Sequence, residues 1–458
     1  MRLLSSIVAV AFAAVASAVS TSGSRLLVVL DDVAEKSAYS QFFGDLADRG
    51  FDITYETPKS DKFKLFNLGE RNFDHVVFLP TKVKGLGPNL TPNILLDFVN
   101  AEGNIMVAMS STTPTSTSIV SLLSELDIML PIERTGTVVD HFNYDSTSSP
   151  DEHRVLVLDA PGPIRPDVKN YFEKPGSVIA VPNAAGHVLG NSQLLTPILR
   201  APATAYSYNP TEQFDVIEAD ELFAAGSQIA LVSAAQARNN ARVTLVGSAE
   251  MLQDKWFGAK VTKAGSKAVA ADNRAFAKTL SAWAFKEIGI LRVNGVEHHL
   301  KDDAEVNPSL YRIKNDVSYL ISVSEYSYDS WHPFILPAGD EMQLEFSMLS
   351  PFHRLNLPVK ATNGDATVFG TSFTLPDQHG IFNFMVNYKR PLLSSIEEKR
   401  TVSVRHMAHD EWPRSYVISG AWPWISGIFA TVTGFVGFSA LWMYSKPTGK
   451  ASKTKKTQ

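Results

Sequence analysis

The sequence predicts an α/β protein in three parts: an open, mostly parallel sheet domain layered with helices, an antiparallel β-sandwich, and one C-terminal transmembrane helix. Three patterns carry that expectation. Short β-branched apolar runs alternate with amphipathic stretches up to about residue 290, the signature of βαβ units. Beyond that point the apolar period changes to two, as in half-buried antiparallel strands. Near the C-terminal end, Trp422–Tyr444 contains no charged residue. A helix of that length reaches about 34 Å, a little more than a hydrocarbon core of roughly 30 Å.

The chain opens with Met1 and Arg2, a brief apolar run LLSSIVAVAFAAVA, and the small residues Ala16-Ser17-Ala18. This order is that of a secretory signal peptide over 1–18, cleaved after Ala18. The α/β domain is expected over 19–290. Its strands are RLLVVL, FDITY, HVVFLP and NIMVAMS, with HRVLVLD, SQIALVS and ARVTLVGS further on. Such runs belong to strands buried on both faces. Between the first two, VAEKSAYSQFFGDLADRG sets Ala34, Tyr39, Phe42, Phe43 and Leu46 along one helical face and stops at Gly50. LTPNILLDFVNAEG supplies a second helix with a glycine stop, and SSTTPTSTS (110–118) reads as a loop after a strand. DNRAFAKTLSAWAFKEIG closes the domain, with Phe276, Leu280 and Trp283 on one stripe.

The sandwich is expected over 291–412. In EMQLEFSML, Met342, Leu344, Phe346 and Met348 alternate with Gln343, Glu345 and Ser347, and VSYLISV, TVFGTSFTL, IFNFMVNY and RTVSVRH supply further strands. The apolar helix spans 422–444, with Trp422, Trp424, Trp442 and Tyr444 at its ends, where such rings favour the headgroup region. The tail, 445–458, carries Lys446, Lys450, Lys453, Lys455 and Lys456 without an acid. That cationic excess sets the tail in the cytoplasm, so the expected topology is single-pass type I with the large N-terminal part lumenal. Lys455 and Lys456 resemble the di-lysine signal that returns membrane proteins to the endoplasmic reticulum, a receptor-read address rather than an anchor. Within the span, Ser426, Ala430 and Gly434 recur at four-residue spacing, a small-residue face suited to close helix packing in lipid.

The formal net charge is −5 and cysteine is absent. A mildly acidic chain without a basic stripe argues against a nucleic-acid surface. In an oxidising lumen, the lack of cysteine excludes disulfide staples, thiol nucleophiles and zinc–thiolate sites. Asn89-Leu90-Thr91 is an acceptor sequon for N-glycosylation, weakened by the Pro92 that follows. Asp31 and Asp32 follow the first strand at its carboxyl end, where open α/β sheets hold ligands and two carboxylates could bind metal or act as acid and base. Their D-x-x-E continuation to Glu35 fits a helix cap better. Gly85-Leu86-Gly87 lacks the third glycine of a dinucleotide fingerprint, and no Gly-x-Ser-x-Gly elbow occurs. His406, His409, Asp410 and Glu411 read as solvated stalk between the last strand and the span. His298 and His299, adjacent in a strand, point to opposite faces and so do not share a metal. No catalytic, cofactor or metal residue is expected.

Four stretches go beyond pattern: LVSAAQARNNARVTLVGSAEMLQDKWF (231–257), WAFKEIGILRVNGVEHHL (283–300), MQLEFSMLSPFHRLNL (342–357) and FTLPDQHGIFNFMVNYKR (373–390). With Gln236-Ala237-Arg238-Asn239-Asn240-Ala241-Arg242 as the most specific run, they resemble the Wbp-type (DDOST) subunit of the oligosaccharyltransferase complex. The resemblance implies a non-catalytic subunit in protein N-glycosylation, the transfer of a dolichyl-diphosphate-linked oligosaccharide to asparagine in Asn-x-Ser/Thr sequons. It implies as partners a Stt-type catalytic subunit, a Swp or ribophorin II-type subunit and a small membrane subunit of the Ost/Dad type. It further implies an N-terminal fold similar to class I glutamine amidotransferases, residence in the endoplasmic reticulum membrane, and a capacity to hold donor oligosaccharide. Trp256 and Trp331 are candidate rings for stacking on sugar. A cargo receptor or lectin-like binding module would share the topology and the tail. A hydrolase using Asp31 and Asp32 would instead show activity as an isolated domain.

Overall fold

The computed structural model describes residues 20–209, 222–263, 265–302, 305–412 and 419–444. The signal segment with Ala18 and the tail with Lys455 and Lys456 lie outside the described residues. Residues up to Val404 form one compact unit and those from Arg405 another.

The first unit is built on a nine-stranded sheet. Its strands are β1 (Arg25–Val29), β2 (Asp52–Glu56), β3 (His75–Phe78), β4 (Asn104–Ala108), β5 (Ile128–Met129), β6 (His187–Leu189), β7 (Leu195–Arg200), β8 (Ile229–Gln236) and β9 (Arg242–Val246). Their order is β2-β1-β3-β4-β9-β8-β6-β5, with β7 also paired to β8. β2, β1, β3, β4 and β9 are joined by parallel pairings, and β8, β7, β6 and β5 extend the sheet by antiparallel ones. The expected mostly parallel sheet is therefore mixed. The reason is local: the short turn between Gln236 and Arg242 joins β8 to β9, and so short a connection makes a hairpin, not a parallel crossover. HRVLVLD does form a strand, Val155–Asp159, but it pairs with Val178–Pro182 outside the main sheet.

Alternate residues of β1 enter two different cores. Leu26 and Val28 pack with Phe42, Phe43 and Leu46 of helix α1 (Ser40–Asp48) on one face. Leu27 and Val29 pack on the other face with Leu95, Phe98 and Val99 of α2 (Pro92–Asn100). That face is completed by α3 (Thr117–Glu125), which buries Ile119, Leu122 and Leu123. So the SSTTPTSTS run is loop only in its first part. The α1 face is completed by α4 (Asn273–Ala284) through Phe276, Leu280 and Trp283. Burial on both sides explains why the strands are continuously apolar. The segment before α1 winds as a 3-10 turn, Val33–Tyr39. With three residues per turn it leaves Ala34 exposed, outside the apolar face expected for it. Gly50, at φ 87°, ends the α1 region in the left-handed conformation that glycine adopts freely.

From Ile288 the chain forms two five-stranded antiparallel sheets. The strands are β10 (Ile288–Leu300), β11 (Leu310–Arg312), β12 (Asp316–Ser327), β13 (Ser330–Pro333), β14 (Gln343–Ser347), β15 (Pro351–Asn356), β16 (Val359–Asn363), β17 (Ala366–Thr374), β18 (Gly380–Tyr388) and β19 (Ile396–Arg405). One sheet is β10-β12-β17-β16 with β13 on β12, and the other is β11-β19-β18-β14-β15. They meet through aromatic rings. Tyr319 stacks on Phe384 at 5.4 Å between centroids, and Phe346 meets Phe373 edge-on at 5.5 Å. The period-two reading holds here: Leu344, Phe346, Phe382, Phe384 and Val386 are buried.

In the second unit, α5 (Trp422–Met443) is an apolar helix with none of its residues buried by the chain and a mean hydropathy of 1.6 over its most apolar 18 residues. Such a helix is long and apolar enough to cross a membrane.

Candidate functional site

The carboxyl ends of parallel strands are where open α/β sheets bind ligands. At β1 that end carries Asp31 and Asp32. Asp32 Oδ1 accepts a hydrogen bond from the Ala34 N–H at 3.0 Å, capping the 3-10 turn, while Asp31 Oδ1 accepts from the Lys82 N–H at 3.3 Å. Both carboxylates are thus occupied locally, and the capping reading holds.

The ends of β4 and β9 lie side by side and bring together a pair that the sequence did not advertise. The Ser110 hydroxyl donates to Glu250 Oε1 at 3.2 Å and shares a 2.8 Å contact with Thr112 Oγ1. Burial pushes the Glu250 carboxyl up, and hydrogen bonds from Asn183 and Ser110 oppose that. This is a polar pair and not a hydrolytic triad: among the described residues no imidazole is bonded to Ser110.

A concave feature of about 930 Å³ lies where the antiparallel side of the main sheet meets the sandwich. Its lining includes Arg165, Gln236, Arg238, Trp283, Lys389 and Arg390. Three of these cations already face acids: Arg165 meets Asp167, Lys389 meets Glu397 at 3.1 Å, and Arg390 binds the buried Asp340. The feature is therefore a seam between layers more than an anion receptor.

The seam explains the Gln236–Arg242 motif. Gln236 Nε2 donates to Leu393 O at 2.7 Å, and Asn240 Oδ1 accepts from the Ser395 N–H at 2.8 Å, so both grip the β18–β19 loop. Asn240 sits at φ 63°, the left-handed turn position that asparagine tolerates. Asn239 Nδ2 donates to Val99 O at 2.8 Å and Asn100 O at 3.0 Å, two carbonyls in the last turn of α2. Arg242 is wholly buried, and its guanidinium donates to Trp283 O, Ile288 O and Gly289 O at 2.6, 2.8 and 2.7 Å. Burial pushes it down to about 9. Trp283 Nε1 in turn donates to Leu392 O at 2.9 Å. On the other side of the same strand, the Arg242 N–H donates to Asn104 Oδ1, and Asn104 Nδ2 donates to His75 Nδ1. A second clasp joins the layers where Lys169 and Tyr171 both bind Glu325, at 2.6 and 2.7 Å.

The remaining sequence candidates separate. His298 is a core residue, bonded to the Tyr311 hydroxyl at 2.8 Å and stacked on Phe384, while His299 contacts Leu300 O. Glu411 is held by Arg405 at 2.6 Å. Trp256, a candidate for stacking on sugar, is 5 % exposed and packs with Val155, Val157 and Val261, so it is core. Trp331 carries Arg292 over one face at 3.9 Å. Asn89 is half-buried in a single 3-10 turn, its Nδ2 donating to Ser60 O at 3.3 Å.

Comparison with known proteins adds a family. The models described as OST48, N-terminal domain, and OST48 middle domain match residues 17–287 and 298–446. A Schizosaccharomyces pombe protein named dolichyl-diphosphooligosaccharide–protein glycosyltransferase subunit wbp1 is 33 % identical over 92 % of this chain and 92 % of its own. The 48 kDa subunit of the same name from Caenorhabditis elegans is 33 % identical over 93 % and 92 %. Among solved structures, a ThuA-like protein from Parabacteroides merdae superposes with a TM-score of 0.29 at 12 % identity, over 57 % of this chain and 88 % of that one, too little to carry an argument.

Proposed function

The chain belongs to the OST48 family, and on that premise we propose that it is a non-catalytic subunit of a dolichyl-diphosphooligosaccharide–protein glycosyltransferase. The observation that carries this reading is 33 % identity over nine-tenths of both chains to relatives named as such subunits. Its work is to scaffold the complex and to hold donor oligosaccharide for transfer to asparagine. The catalytic step falls to a Stt-type partner, with Swp or ribophorin II-type and Ost/Dad-type subunits alongside. The layered unit is lumenal, a domain at 19–290 and another at 291–412, α5 spans the endoplasmic reticulum membrane, and Lys455 and Lys456 act from the cytoplasm as a retrieval signal. Cleavage follows Ala18, and Asn89 is itself an acceptor.

Two features of α5 support the membrane role. A wholly unburied apolar helix needs lipid or partner helices around it. On the face Ser426, Ala430, Gly434, the Ser426 hydroxyl donates back to Trp422 O at 2.6 Å, so its polarity is satisfied within the helix and the face stays small and smooth. The test is to capture the full chain in mild detergent and assay the recovered material for oligosaccharide transfer to an Asn-x-Thr peptide. Transfer is expected from stoichiometric co-purified partners, and its absence would remove the assignment.

A further inference from the structure

Beyond the carboxyl ends of β4 and β9, a short ribbon pairs Thr137–Val139 with Tyr206–Tyr208. It is tied to the end of the sheet, since Thr137 bridges Ala185 and the Ala185 N–H donates at 2.7 Å to Gly247 O, one residue past β9. The ribbon and its flanks gather His141, Phe142, Tyr144, His153, Tyr206 and Tyr208, six rings from two stretches of the chain about 50 residues apart.

Their contacts tie the rings into one chain. His153 Nε2 lies 3.0 Å from Pro150 O, which can only accept, so that nitrogen carries a hydrogen. His153 Nδ1 meets Nδ1 of His141. His141 Nε2 in turn shares a 2.9 Å hydrogen bond with the Tyr206 hydroxyl. Around this chain of contacts, Tyr144 lies against His153 with 3.9 Å between centroids and the rings tilted by 33°, and Arg154 Nη2 donates to the Tyr208 hydroxyl at 3.3 Å. The rings are locked, yet His141 is exposed and Phe142, next to it in the chain, is 66 % exposed. The nearby Asp140 carboxylate is engaged by the Phe142 and Asn143 N–H groups, the Asn143 amide and the Thr204 hydroxyl.

Rigid aromatic faces edged with hydroxyl and imidazole groups suit a neutral sugar, whose C–H face lies on a ring while its hydroxyls meet the polar rim. We propose that the His141–Phe142–Tyr206 cluster is the site where this chain holds neutral hexose residues of the donor oligosaccharide. This rests on the subunit reading above and gives it an address at the ligand-binding end of the sheet.

The test uses the complex captured through the full chain, with two donors: the lipid diphosphate bearing its whole oligosaccharide, and the same lipid with a chemically shortened one. The readout is the ratio of their KM values. In the wild type the longer donor has the lower KM; in His141→Ala/Phe142→Ala that advantage shrinks about five-fold, as expected for losing one or two ring contacts. Tyr206→Phe, which keeps the ring and removes only the hydroxyl bonded to His141, shrinks it less but in the same direction. Equal KM values in the wild type, or an unchanged ratio in the double variant, overturn the site and leave the subunit reading standing. Failure of the wild-type complex to transfer either donor removes the subunit reading itself.

Discussion

Arg242→Met tests whether the hairpin motif clamps the main sheet to the sandwich. The guanidinium makes three buried hydrogen bonds, to Trp283 O, Ile288 O and Gly289 O, and lies over the Trp283 ring at 4.6 Å. Each such bond from a charged donor contributes about 1.5–3 kcal/mol, and the cation–π contact about 2 kcal/mol when desolvated. Against them stands the desolvation of the cation, several kcal/mol, visible in the depression of Arg242 to about 9. Methionine retains the packing of the stem and removes the charge, so the desolvation cost disappears together with the bonds. What remains is three buried carbonyls that have lost a donor, at about 1–3 kcal/mol each if water does not reach them. Because Trp283 O and Gly289 O keep the Lys286 and Ser394 N–H groups as backbone donors, the net loss should be about 3 kcal/mol. In a chain of this size that lowers the thermal midpoint by about 5 °C. The assay is intrinsic-fluorescence melting of the purified full chain in detergent, with limited proteolysis of the β18–β19 loop in parallel. A midpoint within about 1 °C of wild type and unchanged cleavage would refute the clamp.

Acid should destabilise the protein through two buried histidines. Burial holds His75 down at about 4 and His187 at about 3, below the ordinary 6.5. Neither matters above 6.5; between there and about 4 the unfolded chain binds protons that the folded one refuses, so stability declines as pH falls, by about 3 kcal/mol for His75 alone. Urea midpoints at about pH 7 and pH 5 would read this, and His75→Gln should flatten the decline; an equal drop in the variant would count against His75 as the cause. Asp32→Ala should cost about 1 kcal/mol, the loss of one cap, and leave glycan transfer by the captured complex unchanged; a loss of transfer would revive the catalytic reading of that carboxylate. Gly434→Leu should reduce recovery of partner subunits in mild detergent by bulking the small face of α5, and full recovery would take that face out of the interface.

The layered architecture was legible because residue spacing along the chain sets which faces are apolar. Leu26 to Val29 announced burial on both sides, Leu344 and Phe346 burial on one, and α5 burial on none. Ala34 and the start of α3 were misplaced for a related reason: a 3-10 turn and a Ser/Thr-rich helix start carry little apolar period of their own. The motif from Gln236 to Arg242 was visible as a motif, but its duties were not.

What the sequence by itself determined was the alternation, the composition and the apolar span, all properties of neighbours. The pairing of β8 with β6 and β7, the seat of Arg242 against Ile288 and Gly289, and the meeting of His141 with Tyr206 were decided only by the tertiary structure. These depend on contacts between residues tens of positions apart, which no local period encodes.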